Sequence, residues 1–192
     1  MAPASPFDYI GLFNSAFISR DPVLVIEHAN LYPLEGPVPE DRDFCIALGK
    51  ANLLISGVDI TLVAYSFMTL KAFEASAVLE KEGISAEVID LRTVDYTSID
   101  YGAIGNSLRK TGRLLLLEEG LFCGGIGGHL AYEVQRRFFD YLDSEIGRVA
   151  GKPMIMPVSR LNEKRAIPQV EDIHAAYQKV CLSQGNTEIP VL

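Results

Sequence analysis

The spacing of apolar and polar positions divides most of the chain into alternating strands and helices. Residues 59–66, DITLVAYS, are short, β-branched and mostly apolar, which predicts a buried strand. Residues 69–82 follow with helical spacing; Leu70, Phe73 and Ala77 share one face, and Gly83 is placed as a C-terminal cap. AEVIDLRTV (86–94) predicts a second strand. Thr97 with Asp100 three residues on resembles a capping box, opening a helix that stops near Gly112. RLLLLEE (113–119) is the third strand, and Leu130, Val134, Phe138 and Tyr141 mark the helix after it. GRVAG (147–151) reads as a short last strand, and Val170, Ile173, Tyr177 and Val180 stripe a final helix. Strands with near-continuous apolar runs, each followed by a helix, predict an α/β fold: a parallel sheet covered on both faces.

The first 43 residues break this pattern. SPFDYIGLFNSAFISRDPVLVIEH reads as one helix and one strand, and YPLEGPVPEDRD (32–43), with three prolines and four acids, as an extended linker. One helix and one strand cannot enclose a core, so residues 1–31 are expected to be the end of another domain. The length of 192 residues allows one domain plus such a fragment.

Charge narrows the function classes. Acids outnumber bases 25 to 17, for a net charge of −8, and no basic run or basic amphipathic helix stands out. A nucleic-acid partner is therefore not expected. No apolar stretch approaches membrane-spanning length, and the first residues lack a basic stretch ahead of an apolar run. Cys45, Cys123 and Cys181 are an odd count without metal-like spacing, as suits a reducing compartment. The expectation is a soluble intracellular chain.

Candidate chemistry centres on EEGLFCGGIGGHL (118–130), where a strand meets four glycines within five residues (124–128) and then a helix. Such turns cradle phosphates in many proteins. Here the dinucleotide fingerprint fails, because Gly125 and Gly127 are followed by Leu130 where a third glycine is required, and no Walker-type lysine is present. Glu118 and Glu119 would repel an incoming phosphate. The glycines are therefore read as a sharp turn that lets helix and sheet pack closely. His28, His129 and His174 have no metal-binding spacing. His28, after a strand end, is the best placed of the three. Cys123 lies near a helix N-terminus without an adjacent base. Tyr65 and Ser66 end a strand where parallel sheets often bind ligands, but no nucleophile elbow accompanies them. Asp90 and Arg92 are read as a structural ion pair.

The segments DPVLVIEHANLY, GVDITLVAYS, EKEGISAEVIDLRTV, KTGRLLLLEEG, GIGGHLAYEV, FFDYLD and IPQVEDI occur in this order. Together they closely resemble the β-subunit family of the thiamine-dependent decarboxylase component of the pyruvate dehydrogenase complex, from about Ser5 to Val180. The resemblance covers only the later part of the family's β chain. It implies a transketolase C-terminal domain, a three-layer α/β/α sandwich on a mostly parallel sheet, over residues 44–184. Residues 1–31 would end the thiamine pyrimidine-binding domain, 32–43 would be the interdomain linker and 185–192 a tail. The implied chemistry is decarboxylation of pyruvate on thiamine diphosphate with Mg²⁺, then reductive acetylation of a lipoyl group; the cofactor is the electron sink and the protein positions it.

The family's activating glutamate and catalytic histidine lie in the part of the β chain not represented here, and its magnesium–diphosphate site in the α subunit. No catalytic or cofactor-binding residue is therefore assigned to this chain, no bound cofactor is expected, and the chain alone is expected to be inactive. Two narrower assignments come with the resemblance. Ala16, Phe17, Ser19 and Asp21 match a loop that helps bind a monovalent cation, although the family often has an acid where Ser19 stands. Asp143, in YLDSE, matches an acid that docks the small basic peripheral-subunit-binding domain of the acyltransferase. The implied partners are an α subunit, a second β subunit and that docking domain. The implied location is the cytoplasm of a bacterium, or the mitochondrial matrix or plastid of a eukaryote. Branched-chain and acetoin dehydrogenase β subunits share much of the pattern. A free-standing flavodoxin-like nucleotide-binding or scaffold domain is the alternative of another class.

Overall fold

In the computed structural model, residues 1–182 are described. Residues 183–184, placed at the end of the second domain, and the expected tail at 185–192 lie outside them. Four of the five predicted strands form, as β2 (Ile60–Ala64), β3 (Ala86–Asp90), β4 (Leu114–Leu121) and β5 (Gly147–Gly151). One strand was not foreseen: β1 (Asn52–Ile55). The five make one sheet in the order β1-β3-β2-β4-β5, parallel except for β1, which runs antiparallel to β3. β1 escapes pattern reading because it is a four-residue edge strand whose register is broken between Leu53 and Ile55.

Period-two alternation sends successive residues of each strand to opposite faces. Ile60, Leu62, Val88, Leu115 and Leu117 pack beneath α2 (Phe67–Lys81) and α6 (Val170–Leu182). Val63, Ile89, Leu114 and Leu116 pack against α3 (Tyr101–Thr111) and α4 (Gly127–Phe138) on the other face. The result is a three-layer α/β/α sandwich. On the second face Thr61 is fully buried, and its hydroxyl meets those of Ser107 at 2.6 Å and Thr111 at 2.7 Å on α3. Thr61→Val keeps the shape but removes the buried hydroxyl that joins Ser107 and Thr111, and is expected to cost about 1–3 kcal/mol. Urea unfolding at fixed pH measures it.

Four sequence expectations change. The helix at α2 forms, but its buried face is Met68, Thr69, Ala72, Ala75, Ser76 and Leu79, while Phe73 is 53% exposed. Small side chains let α2 lie close on the sheet, so the stripe of larger residues is turned outward. The helix at α3 opens on Asp100, whose carboxylate accepts from Ala103 N–H at 3.1 Å; Thr97 donates to Asp95 instead. It ends at Gly112 with φ +64°, as expected for a left-handed cap. The strand expected after Asp21 does not form. Residues 22–28 run extended, bonded through Met1, whose amine donates to Leu24 O and whose carbonyl accepts from Ile26 N–H. A β-rich composition cannot make a strand without a neighbouring ladder. Finally, α5 (Arg160–Ala166) was not anticipated.

The expected first helix is present as α1 (Pro6–Ile18), capped by Ser5 accepting from Asp8 N–H. It packs through Leu12 on Ile46 and Met1, a third cluster apart from the two faces of the sheet. Residues 34–39 adopt no regular element.

Candidate site at the strand ends

In the order β1-β3-β2-β4-β5 the chain steps from β2 to β3, then crosses back to β4 on the other side of β2. The carboxyl ends of β2 and β4 therefore flank a topological switch point, the usual ligand crevice of an open α/β sheet. Tyr65 and Ser66 follow β2, and Glu118 and Glu119 close the apolar part of β4. Ser66 carries positive φ (+52°) with ψ −134°, a conformation side chains rarely adopt, and is 8% exposed. Strained backbone of this kind gathers at functional sites.

The chain's own groups fill this crevice. Glu118, 1% exposed, turns its carboxylate to the start of α4, where Oε2 accepts from Gly127 N–H at 2.9 Å. Its Oε1 accepts from Arg148 Nη2 at 2.6 Å, and the same guanidinium donates to Phe122 O and lies 4.3 Å from the Phe122 ring centre. A carboxylate held by a helix N-terminus and an arginine occupies the position a phosphate takes in nucleotide folds. The glycines follow from this. A Cβ at Gly125 or Gly127 would fall on the Glu118 carboxylate, whereas one at Gly124 would meet nothing. The turn is glycine-rich to admit the protein's own anion, a more specific reason than the sharp turn expected from sequence. Arg148 was missed because its partner is thirty residues away.

Glu119 is engaged as well. Its Oε2 lies 2.7 Å from His28 Nε2, while His28 Nδ1 accepts from Asn30 N–H at 3.2 Å. The imidazole stacks on Phe67 at 4.6 Å with 7° between planes. With both ring nitrogens taken, His28 fastens residues 22–31 to the switch point rather than acting as a base. Tyr65 is no ready acid either: burial, then Glu118 and Glu119, push its phenol up to about 12.

The remaining sequence candidates lie apart. Cys123 is exposed within the glycine-rich turn. His129 sits edge-on to Tyr96, and His174 pairs with Glu82 at 2.8 Å. Asp90 and Arg92 do not form the side-chain pair expected. Arg92 turns to Asp8 on α1 at 2.5 Å, and Asp90 accepts from the Arg92 backbone N–H. The reason is local: Arg92 has φ +56°, which redirects its side chain toward α1. Ala16 and Phe17 lie in the last turn of α1, Ser19 is its C-cap, and Ser19 Oγ accepts from Asp21 N–H at 3.2 Å. Phe17 is 83% exposed and Asp21 is also exposed. Asp143 is exposed and its N–H donates to Gly112 O, which places it at the basic C-terminal end of α3. Among the described residues, no group of three or more His, Cys, Asp or Glu side chains could hold a metal ion, and no helix is long and apolar enough to cross a membrane.

Comparison with known proteins agrees with this architecture. The chain is 40% identical over 184 residues to "Pyruvate dehydrogenase E1 component subunit beta-1, mitochondrial" of Oryza sativa subsp. japonica, covering 94% of this chain and 49% of that protein. It is 38% identical over 181 residues to "Pyruvate dehydrogenase E1 component subunit beta" of Rickettsia felis, covering 94% and 55%. The chain thus spans about half the length of the curated relatives it matches. Among solved structures it resembles a "Split gene transketolase, inactive beta4 tetramer", with a TM-score of 0.62 and 29% identity over 77% of this chain and 48% of that one. The family described as "Transketolase, C-terminal domain" matches residues 49–173, which takes in the whole sheet and the first turn of α6. Sheet order, switch point and sequence match together make the chain a member of the transketolase C-terminal domain family.

Proposed function

We propose that the chain is the C-terminal part of the β subunit of the pyruvate dehydrogenase decarboxylase component, serving subunit assembly and docking rather than chemistry. The observation that carries this reading is the reach of the similarity. A 184-residue match covering 94% of the chain is too long to fit within residues 49–192, so it takes in the segment before that domain and reaches back into α1, outside the domain-family match. On this reading residues 1–31 end the pyrimidine-binding domain, 32–43 join the domains and 44–184 are the second domain.

The described residues do not fit thiamine diphosphate at the switch point. The helix N-terminus that would hold a phosphate carries Glu118, and His28 has no free nitrogen. The parent enzyme's cofactor and Mg²⁺ then belong to parts of it outside this chain. A role in assembly accords with large apolar side chains left outside: Phe17, Leu24, Ile155 and Val158 are each more than 70% exposed. The partners proposed are an α subunit and a second β subunit. A bacterial chain of this kind would work in the cytoplasm, a eukaryotic one in the mitochondrial matrix or a plastid.

The chain alone, given pyruvate, thiamine diphosphate, Mg²⁺ and a lipoyl acceptor, is expected to show no oxidative decarboxylation. Co-expressed with an α subunit it is expected to co-purify. Turnover by the isolated chain, or no association with an α subunit, overturns the reading. Asp143 is proposed to dock the basic subunit-binding domain of the acyltransferase, and Asp143→Lys should weaken that binding about tenfold. The turn at Ala16, Phe17, Ser19 and Asp21 is proposed as part of a monovalent-cation loop. It lies at the negative end of the α1 dipole, next to an acid. Potassium raising the melting temperature more than sodium, and less so in Asp21→Ala, is the expected result.

A further inference from the structure

A cavity of about 160 Å³ opens where α1, β1, α2 and the end of β3 meet. Its walls include Leu54, Leu70 and Phe73, and its floor includes Asp8, Thr69 and Asp90. The floor residues are 2%, 4% and 0% exposed. Their hydrogen bonding is incomplete on the cavity side. Asp8 Oδ2 takes the Ser5 hydroxyl at 2.7 Å, and its Oδ1 has the Arg92 guanidinium at 2.5 Å. Asp90 Oδ1 accepts from Arg92 N–H at 3.0 Å, but neither Asp90 Oδ2 nor Thr69 Oγ1 makes a well-formed hydrogen bond, and the Thr69 hydroxyl is the one donor beside Asp90 on the floor. The Arg92 guanidinium is thus taken by Asp8, and the fully buried Asp90 carboxyl has no ion-pair partner of its own, its Oδ2 facing only the Thr69 hydroxyl beside the cavity. Buried oxygens in this state cost free energy unless a donor arrives.

We propose that this cavity binds a small primary alkylammonium, its head donating to Asp90 Oδ2 and Thr69 Oγ1 and its chain lying against Leu54, Leu70 and Phe73. The head supplies what the floor lacks, one positive charge and several hydrogen-bond donors. A neutral alcohol brings a single donor and no charge. An inorganic cation leaves the apolar walls unused. The volume equals about five water molecules, which suits a chain of four or so carbons. Without the ligand, burial first, with Asp8 adding to it, raises the Asp90 carboxyl to about 7, so the free site answers its missing charge by keeping a proton. Binding displaces that proton, and affinity therefore rises with pH through neutrality.

The test is calorimetric titration of the chain with n-butylammonium chloride, n-butanol and ammonium chloride at constant ionic strength. Saturable butylammonium binding is expected, about tenfold tighter at pH 8 than at pH 6. Butanol and ammonium are each expected to bind at least tenfold more weakly. Asp90→Asn should abolish the binding at both pH values. Phe73→Ala, at a half-exposed position that leaves the fold intact, should weaken butylammonium but not ammonium. Equal binding of butanol, no pH dependence, or unchanged affinity in Asp90→Asn overturns the proposal. So does a folded wild-type chain that binds no butylammonium.

Discussion

Glu118→Ala is expected to lower the unfolding free energy by about 3–5 kcal/mol, the usual cost of removing one partner from a buried ion pair. The loss has three parts. Arg148 is left with a mostly buried guanidinium and no carboxylate. Gly127 N–H, the donor at the start of α4, loses its acceptor. The space that Gly125 and Gly127 keep open for the carboxylate becomes a void. Glu118→Gln should lose less, because a side-chain oxygen still accepts from Gly127. The alanine variant also exposes an anion site that the native protein fills for itself. Added phosphate should therefore raise the melting temperature of Glu118→Ala and leave the wild type unchanged. A loss below 1 kcal/mol, with no rescue by phosphate, would show that the carboxylate does not hold the turn.

Asp90→Asn is expected to stabilise the protein above neutral pH while leaving it little changed in acid. Burial raises the Asp90 carboxyl from its ordinary value to about 7 in the folded chain. Between those two values the unfolded chain has ionised and the folded chain has not. The contribution of Asp90 is thus fully present in acid and is lost as pH rises through about 7. At 1.36 kcal/mol per unit, the swing is on the order of 4 kcal/mol. Asparagine keeps the oxygen that accepts from Arg92 N–H and offers an N–H₂ toward Thr69 and Asp8, so it removes the swing without removing the hydrogen bond. Denaturant melts of both proteins at pH 4, 6 and 8 give the difference curve. It should rise with pH and level off above neutrality. A flat difference would mean that Asp90 is ionised throughout. Glu87 and Asp95, both held below their ordinary values, contribute equally to both proteins and cancel.

The sheet was legible because its central strands are covered on both faces, so Ile60–Ala64 and Leu114–Leu117 read as unbroken apolar runs. Helix ends were legible where backbone chemistry demands one residue, as at Gly112. What failed was whatever depends on a distant neighbour. Residues 22–28 have strand composition and no strand beside them. Phe73 has the spacing of a core residue, but Ala72, Ala75 and Ser76 bring α2 closer to the sheet than a phenylalanine would allow. At the site, both glutamates and the glycines were visible, yet their meaning was not. The partners that decide it, Arg148 and His28, come from other parts of the chain. Arg92 and Asp90 sit two residues apart and looked like a pair. A positive φ at Arg92 directs the guanidinium to α1 instead.

Besides the bonds of α1 to Phe44 and Ile46, the N-terminal segment is fastened at two places along the carboxyl end of the sheet. One is Arg92 after β3, which accepts Ala2 N–H at its carbonyl and meets Asp8 with its guanidinium. The other is Glu119 on β4, held by His28. The line between these two attachments runs across the end of β2, where Ser66 is strained. A tilt of anything rigidly continuous with α1 is therefore delivered as torque on the turns that follow β3 and β4, with Ser66 lying between them.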